Sequence, residues 1–141
     1  MAGHSLGGAI AWEIAALKPE LVKKLILVDP GLEVSRRSFI IRGLKTLGNN
    51  LLFDRKAWRR IYPAVWNFRV FNLVKKIEVS ELLTDTPVLL LCGKKDKVTP
   101  MESYEEKLKG LSGLKVQIFE GGHHWYQWQE DKYLKAVEDF I

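Results

Sequence analysis

The sequence predicts an α/β fold built on a parallel sheet, and three observations carry that expectation. Two runs, Leu25-Ile26-Leu27-Val28 and Val88-Leu89-Leu90-Leu91, are apolar at every position, as strands covered on both faces are. A third run, Val116-Gln117-Ile118-Phe119, has the same β-branched and aromatic bias. Helical periodicity lies between and around these runs, and alternating helix and strand is the pattern of parallel sheets.

The elements follow in order. Leu6, Ile10, Ile14 and Leu17 recur at helical spacing, and Pro19 marks where that helix stops. The strand Leu25–Val28 comes next. The segment from Gly31 to about Asp85 breaks the rhythm and is too long for a plain loop. Ile40, Leu44, Leu47 and Leu51 recur there at helical spacing, so a helical insertion over residues 31–86 is expected between core segments 1–30 and 87–141. After the strand at Val88, Thr99-Pro100-Met101-Glu102 reads as a helix start, with Thr99 as cap and Glu102 completing a capping box. Leu134, Val137 and Ile141 place the apolar face of a final helix.

Composition bounds the function. At 141 residues, 47 % apolar and 28 % charged, the chain has the profile of one ordinary globular domain. No run reaches the roughly 18 apolar residues a membrane span requires. Met1-Ala2-Gly3-His4 has neither the basic region nor the apolar core of a secretory signal, so a cytoplasmic setting is expected. The single cysteine, Cys92, excludes an internal disulfide and shows no metal-ligand spacing; its apolar neighbours make it a small buried hydrophobe. The net charge of +5 is uneven: residues 31–86 carry +6 and the remainder −1. A solvated helical surface explains that segment, with an anionic substrate or a lipid surface as the alternatives. No nucleic-acid partner is expected.

The chemistry begins at Gly3-His4-Ser5-Leu6-Gly7, a Gly-x-Ser-x-Gly pattern. A hydroxyl is a poor nucleophile unless it is exposed, strained and held beside a base. A sharp strand-to-helix turn lifts the serine clear of the sheet, and close backbone approach there favours glycine at Gly3 and Gly7. The serine then sits at a helix N-terminus, where free N–H groups favour negative charge, and the N–H of Leu6 is placed to receive an oxyanion. The bland alternative is a glycine-rich helix start with Ser5 as its cap.

Downstream segments agree with the catalytic reading. Gly3-His4-Ser5-Leu6-Gly7-Gly8 resembles the nucleophile elbow of the α/β-hydrolase superfamily, and Leu25-Ile26-Leu27-Val28-Asp29-Pro30 resembles its sixth strand and exit turn. Pro87 to Pro100 is similar to the seventh strand and acid loop, Gly121-Gly122-His123-His124-Trp125 to the histidine loop, and residues 31–86 occupy the place of the variable cap. The resemblance covers the whole chain. It implies the C-terminal half of an α/β-hydrolase fold and an esterase-like serine hydrolase of the carboxylic-ester type, with no metal or organic cofactor.

In this superfamily the triad runs Ser, acid, His along the chain, an order that Ser5, Asp96 and His124 follow. Asp96 falls just past a strand end, where catalytic groups of open α/β sheets gather, and Gly93 permits the turn that aims it. Asp29 also ends a strand and is the competing acid. For the base, His124 precedes Trp125 and lies five residues past Phe119, both of which fit the family's spacing. His123, directly after Gly122, is the alternative. His4, pointing away from the base, is expected to give structural support.

The chain begins at the elbow. The resemblance implies that the fold's first strands, and the loop carrying a second oxyanion N–H, lie outside it. The expectation is therefore an N-terminally truncated fragment, inactive by itself, with Leu25–Val28 presenting an unpaired edge. That edge would be completed by the missing N-terminal half or by a second copy in a homodimer. The expected ligand is a small-molecule acyl substrate. The rival reading is a non-catalytic binding or scaffold protein on the same fold.

Overall fold

In the computed structural model, the residues described are 1–32 and 85–141. The helical insertion expected over 31–86 therefore lies almost wholly outside the described residues. Those residues belong to one compact unit, Met1–Glu33 with Val79–Ile141.

Among the described residues, four parallel strands form a sheet in the spatial order β1-β2-β3-β4. They are β1 (Ala2–His4), β2 (Leu25–Val28), β3 (Val88–Gly93) and β4 (Leu114–Phe119). Every residue of β2 and β3 is buried, as their unbroken apolar runs require. β4 differs from the sequence expectation: Val116 and Ile118 are 40 % and 58 % exposed, so this strand is covered far less than the other two. β2 differs as well. It does not end the sheet, because Ala2, Gly3 and His4 pair with Ile26, Leu27 and Val28. Three residues suffice to form a strand because the ladder extends past both ends, from Ile26 N to Met1 O and from Ser5 N to Val28 O.

Among the described residues, the helices are α1 (Leu6–Leu17), α2 (Glu105–Leu108) and α3 (Glu130–Glu138). The sequence located α1 but chose the wrong stripe. Its buried residues are Gly8, Ala9, Ala11, Trp12 and Ala15, whereas Ile10 and Leu17 are exposed. Small side chains on the inward face let α1 approach the sheet closely, and Trp12 fills the remaining space with no exposed surface. In α3 the core is met by Ala136 and, just past the helix, Phe140, rather than by Leu134 and Ile141. The expected capping box is also not formed: a single 3₁₀ turn, Met101–Ser103, follows Pro100, and the Thr99 hydroxyl is used elsewhere. Among the described residues, no helix is long and apolar enough to cross a membrane.

Candidate active site

The C-terminal ends of the four strands converge on one polar site. β1 leads directly into Ser5, which has φ 53° and ψ −122°. This is a conformation a side-chain-bearing residue adopts only when its surroundings force it. The forcing is visible in the packing. A Cβ on Gly3 would lie 2.2 Å from the main-chain oxygen of Gly7, and one on Gly8 would lie 2.8 Å from Pro30 Cβ. Gly7 is the correction here: among the described residues nothing lies within 4 Å of the Cβ it would carry. The tight pair is thus Gly3 and Gly8, with Gly7 contributing the backbone that Gly3 must avoid.

Ser5 is the N-cap residue of α1, yet its side chain makes no capping hydrogen bond. The bland reading of Ser5 as a helix cap therefore fails. Its main chain is fixed instead: Ser5 N–H donates to Val28 O at 3.0 Å, and Ser5 O accepts from Gly8 N at 3.0 Å and Gly31 N at 2.9 Å.

β3 delivers the acid loop. Asp96 is 6 % exposed, and its carboxylate is saturated. Oδ1 accepts from Val98 N at 2.6 Å and Thr99 N at 3.2 Å, and Oδ2 accepts from Thr99 Oγ1 at 2.8 Å and His123 Nδ1 at 2.8 Å. Burial alone would push this carboxyl up. The hydrogen bonds from His123, Val98 and Thr99 outweigh it and hold Asp96 well below the usual carboxylate range.

The imidazole beside Asp96 is therefore that of His123, and the sequence expectation of His124 is displaced by one residue. The reason lies in the turn. Trp125 N–H donates to Gly122 O at 2.9 Å, closing a turn in which His123 and His124 are the two central residues, with their rings 5.0 Å apart and 65° from parallel. Trp125 then anchors the turn by stacking on Phe119, with ring centroids 3.9 Å apart and planes 4° from parallel. His124 is left exposed, 3.4 Å from the Tyr126 hydroxyl. The adjacent Gly122-His123 pair is the sequence signal for the residue that meets Asp96.

The acid and histidine loops are zipped together through their main chains: Lys94 N–H donates to Phe119 O and Lys95 N–H to Gly121 O, each at 2.8 Å. Gly93 is required for this approach rather than for a special φ, since its Cβ would sit 2.8 Å from both Gly122 O and Trp125 Cδ1. His4 also departs from expectation. It faces the histidine loop, donating from Nε2 to His123 O at 3.1 Å with ring centroids 4.7 Å apart. Burial pushes the His4 imidazole down and favours this neutral donor form.

Comparison with known proteins agrees with this fold. Residues 1–136 match the model of the alpha/beta hydrolase family. The chain belongs to that family. A curated relative of this α/β-hydrolase chain is the 2-hydroxy-6-oxononadienedioate/2-hydroxy-6-oxononatrienedioate hydrolase of Klebsiella pneumoniae subsp. pneumoniae, 24 % identical over 174 residues. That match covers 99 % of this chain and 60 % of the relative, so the chain spans about three fifths of its relative's length. Among solved structures, an alpha/beta fold family hydrolase from Bacillus anthracis superposes with a TM-score of 0.73 at 19 % identity, over 99 % of this chain and 66 % of that one. An esterase from Exiguobacterium antarcticum superposes with a TM-score of 0.66 at 19 % identity, over 99 % of this chain and 65 % of that one. These likenesses establish the fold.

Proposed function

We propose that the chain carries the Ser-His-Asp machinery of a serine hydrolase that cleaves an ester or similar acyl bond. Ser5 Oγ attacks the carbonyl carbon while His123 Nε2 takes its proton. Asp96, hydrogen-bonded to Nδ1, fixes the tautomer and stabilises the imidazolium that forms. The N–H of Leu6, at the free start of α1, donates to the oxyanion. His123 returns the proton to the leaving group, and water, activated by the same imidazole, releases the acyl group from Ser5. The mechanism requires no metal or organic cofactor.

One observation carries this reading. The Asp96-bound imidazole belongs to a loop that is hydrogen-bonded to His4, the residue immediately before a strained serine whose hydroxyl does not cap its helix. A scaffold protein has no use for that strain, which persists at functional sites because the surrounding structure enforces it.

For the acyl group, two chemistries are to be compared: short-chain esters, and a 2-hydroxy-6-oxo dienedioate of the kind named for the relative. Both offer Ser5 a carbonyl. Full activity is further proposed to need more sheet beyond β1, from an N-terminal segment or a second copy, together with a second oxyanion donor. Covalent labelling by a fluorophosphonate probe tests the reading, on the 141-residue chain and on the same chain preceded by any in-frame upstream sequence. Labelling that Ser5→Ala abolishes is expected, weak in the first and strong in the second. Equal labelling of Ser5→Ala and wild type would sink the assignment.

A further inference from the structure

Asp29, at the end of β2, has no part in the steps above, yet it is the most tightly enclosed carboxylate among the described residues. It has no solvent exposure, and its backbone is held at φ 41°. Its side-chain Oδ1 accepts from Gly93 N–H at 2.7 Å. Its main-chain oxygen accepts from Thr99 Oγ1 at 3.0 Å, and that same hydroxyl lies 2.8 Å from Asp96 Oδ2. One residue thus holds the acid loop on both sides of Asp96, at Gly93 and at Thr99.

An amide oxygen could accept the Gly93 hydrogen bond equally well. What an amide could not supply is charge, and a buried charge with an idle oxygen is expensive to keep. Among the described residues, Oδ2 makes no hydrogen bond, and neither does the buried Trp125 Nε1, although the indole lies close enough to favour the ionised carboxylate. The groups facing Asp29 come from each element packed on it. From the acid loop comes Asp96, which opposes its ionisation, and from the histidine loop comes His123, which favours it. Cys92 of β3 and Tyr104 are both pushed up, chiefly by burial and in part by the Asp29 charge. His4, Asp29 and His123 each bring one ring nitrogen or carboxylate oxygen within 4.8 Å of the others. Of all these, His123 is the group that becomes positive in the proposed reaction.

We propose that Asp29 is a positioning residue for the Asp96–His123 pair, clamping the acid loop from β2 and placing a second buried negative charge against the His123 imidazolium. The inference rests on the reading of Asp96 and His123 as acid and base. Burial pushes the Asp29 carboxyl up to about 6, so the charge is present at neutral pH and lost in mild acid.

The test is an NMR titration of the three histidines in the 141-residue chain, comparing wild type, Asp29→Asn and Asp96→Asn. It needs no substrate. Asp29→Asn is expected to lower the His123 midpoint by roughly half a pH unit or more, as loss of a nearby opposite charge does, and to leave exposed His124 in place. Asparagine keeps the Gly93 hydrogen bond, so a purely structural Asp29 would leave the His123 midpoint unmoved. If Asp96→Asn moves His123 and Asp29→Asn does not, this inference fails and the triad reading stands. If neither substitution moves it, both fail. A second measurement needs no variant: the wild-type Asp29 carboxyl carbon should titrate near 6 with a second step shared with His123. A single step at the ordinary aspartate value overturns the proposal.

Discussion

His4 Nε2 donates to the main-chain oxygen of His123 across 3.1 Å, so the residue next to the strained serine grips the loop that carries the imidazole. That bond joins two segments separated by 119 positions in sequence. Together with the Asp96–His123 contact at 2.8 Å, it draws the ends of β1, β3 and β4 into one site. The arrangement makes the two adjacent histidines unequal.

The first prediction concerns that inequality. His123 meets Asp96, whereas His124 is exposed beside Tyr126. In a catalytically competent form of the chain, His123→Ala should lower kcat by at least about 10³-fold, and His124→Ala by less than about 30-fold. Steady-state kinetics on a model ester, or the rate of fluorophosphonate labelling, gives the ranking. The reverse order would restore His124.

Two elbow glycines should behave in opposite ways. Gly3→Ala forces a methyl to within 2.2 Å of the Gly7 oxygen, in backbone that cannot swing aside. A loss of about 2–3 kcal/mol is expected from such overpacking. Gly7→Ala meets nothing within 4 Å among the described residues and should be neutral, or stabilising by up to about 1 kcal/mol through helix propensity. Urea unfolding measures both, and equal losses would show that the elbow is packed otherwise.

Ser5 should trade stability for chemistry. At φ 53° its side chain is carried in a region that suits glycine. Ser5→Gly is therefore expected to raise stability by roughly 1 kcal/mol while abolishing covalent labelling. A lower Tm for Ser5→Gly than for wild type would argue that the hydroxyl makes a stabilising contact.

Much of this was legible in the sequence, for identifiable reasons. Leu25–Val28 and Val88–Leu91 announced buried strands because burial on both faces leaves no polar position. The strained Ser5 turn and the buried Asp96 fall where the sequence places them because elbow and acid loop have local signatures. What failed depended on choices that distant packing makes. The α1 helix buries Ala11 and Ala15 rather than Ile10 and Leu17, since closeness to the sheet outweighs side-chain size. Thr99 looked like a helix cap but bonds Asp96 and Asp29, and it is the fold that brings Asp29 to it across 70 positions. Counting from Phe119 favours His124 over His123 because it ignores the turn closed by Gly122 and Trp125. By sequence Asp29 reads only as a rival acid, because no local pattern shows a side chain holding the strand beside it.

Asp29 supplies the last prediction, in which stability and site chemistry should move in opposite directions. Its carboxyl is raised from 3.8 to about 6 by burial, so the folded chain binds a proton that the unfolded chain has released between those values. The contribution of this group to stability is therefore greatest below pH 3.8, declines as pH rises, and levels off at its least favourable above about 6. Asp96 has the opposite sign: its carboxyl is held down by His123, Val98 and Thr99 against its own burial, so it stabilises the fold above the ordinary aspartate range and ceases to do so in acid. Replacing Asp29 by asparagine removes the buried charge, keeps an acceptor for Gly93 N–H, and places at φ 41° a residue type that tolerates positive φ. Asp29→Asn should thus be more stable than wild type at pH 8, by at most roughly 3 kcal/mol, with the advantage shrinking through pH 6 and vanishing by about pH 4. Thermal unfolding of both proteins across that range gives the curve. A constant difference at every pH would assign the effect to backbone propensity, and a loss of stability at pH 8 would mean that the charge is balanced by a partner at Oδ2. Gained stability at pH 8 with a lowered His123 midpoint in the same variant is the joint outcome expected of a charge kept for the site rather than for the fold.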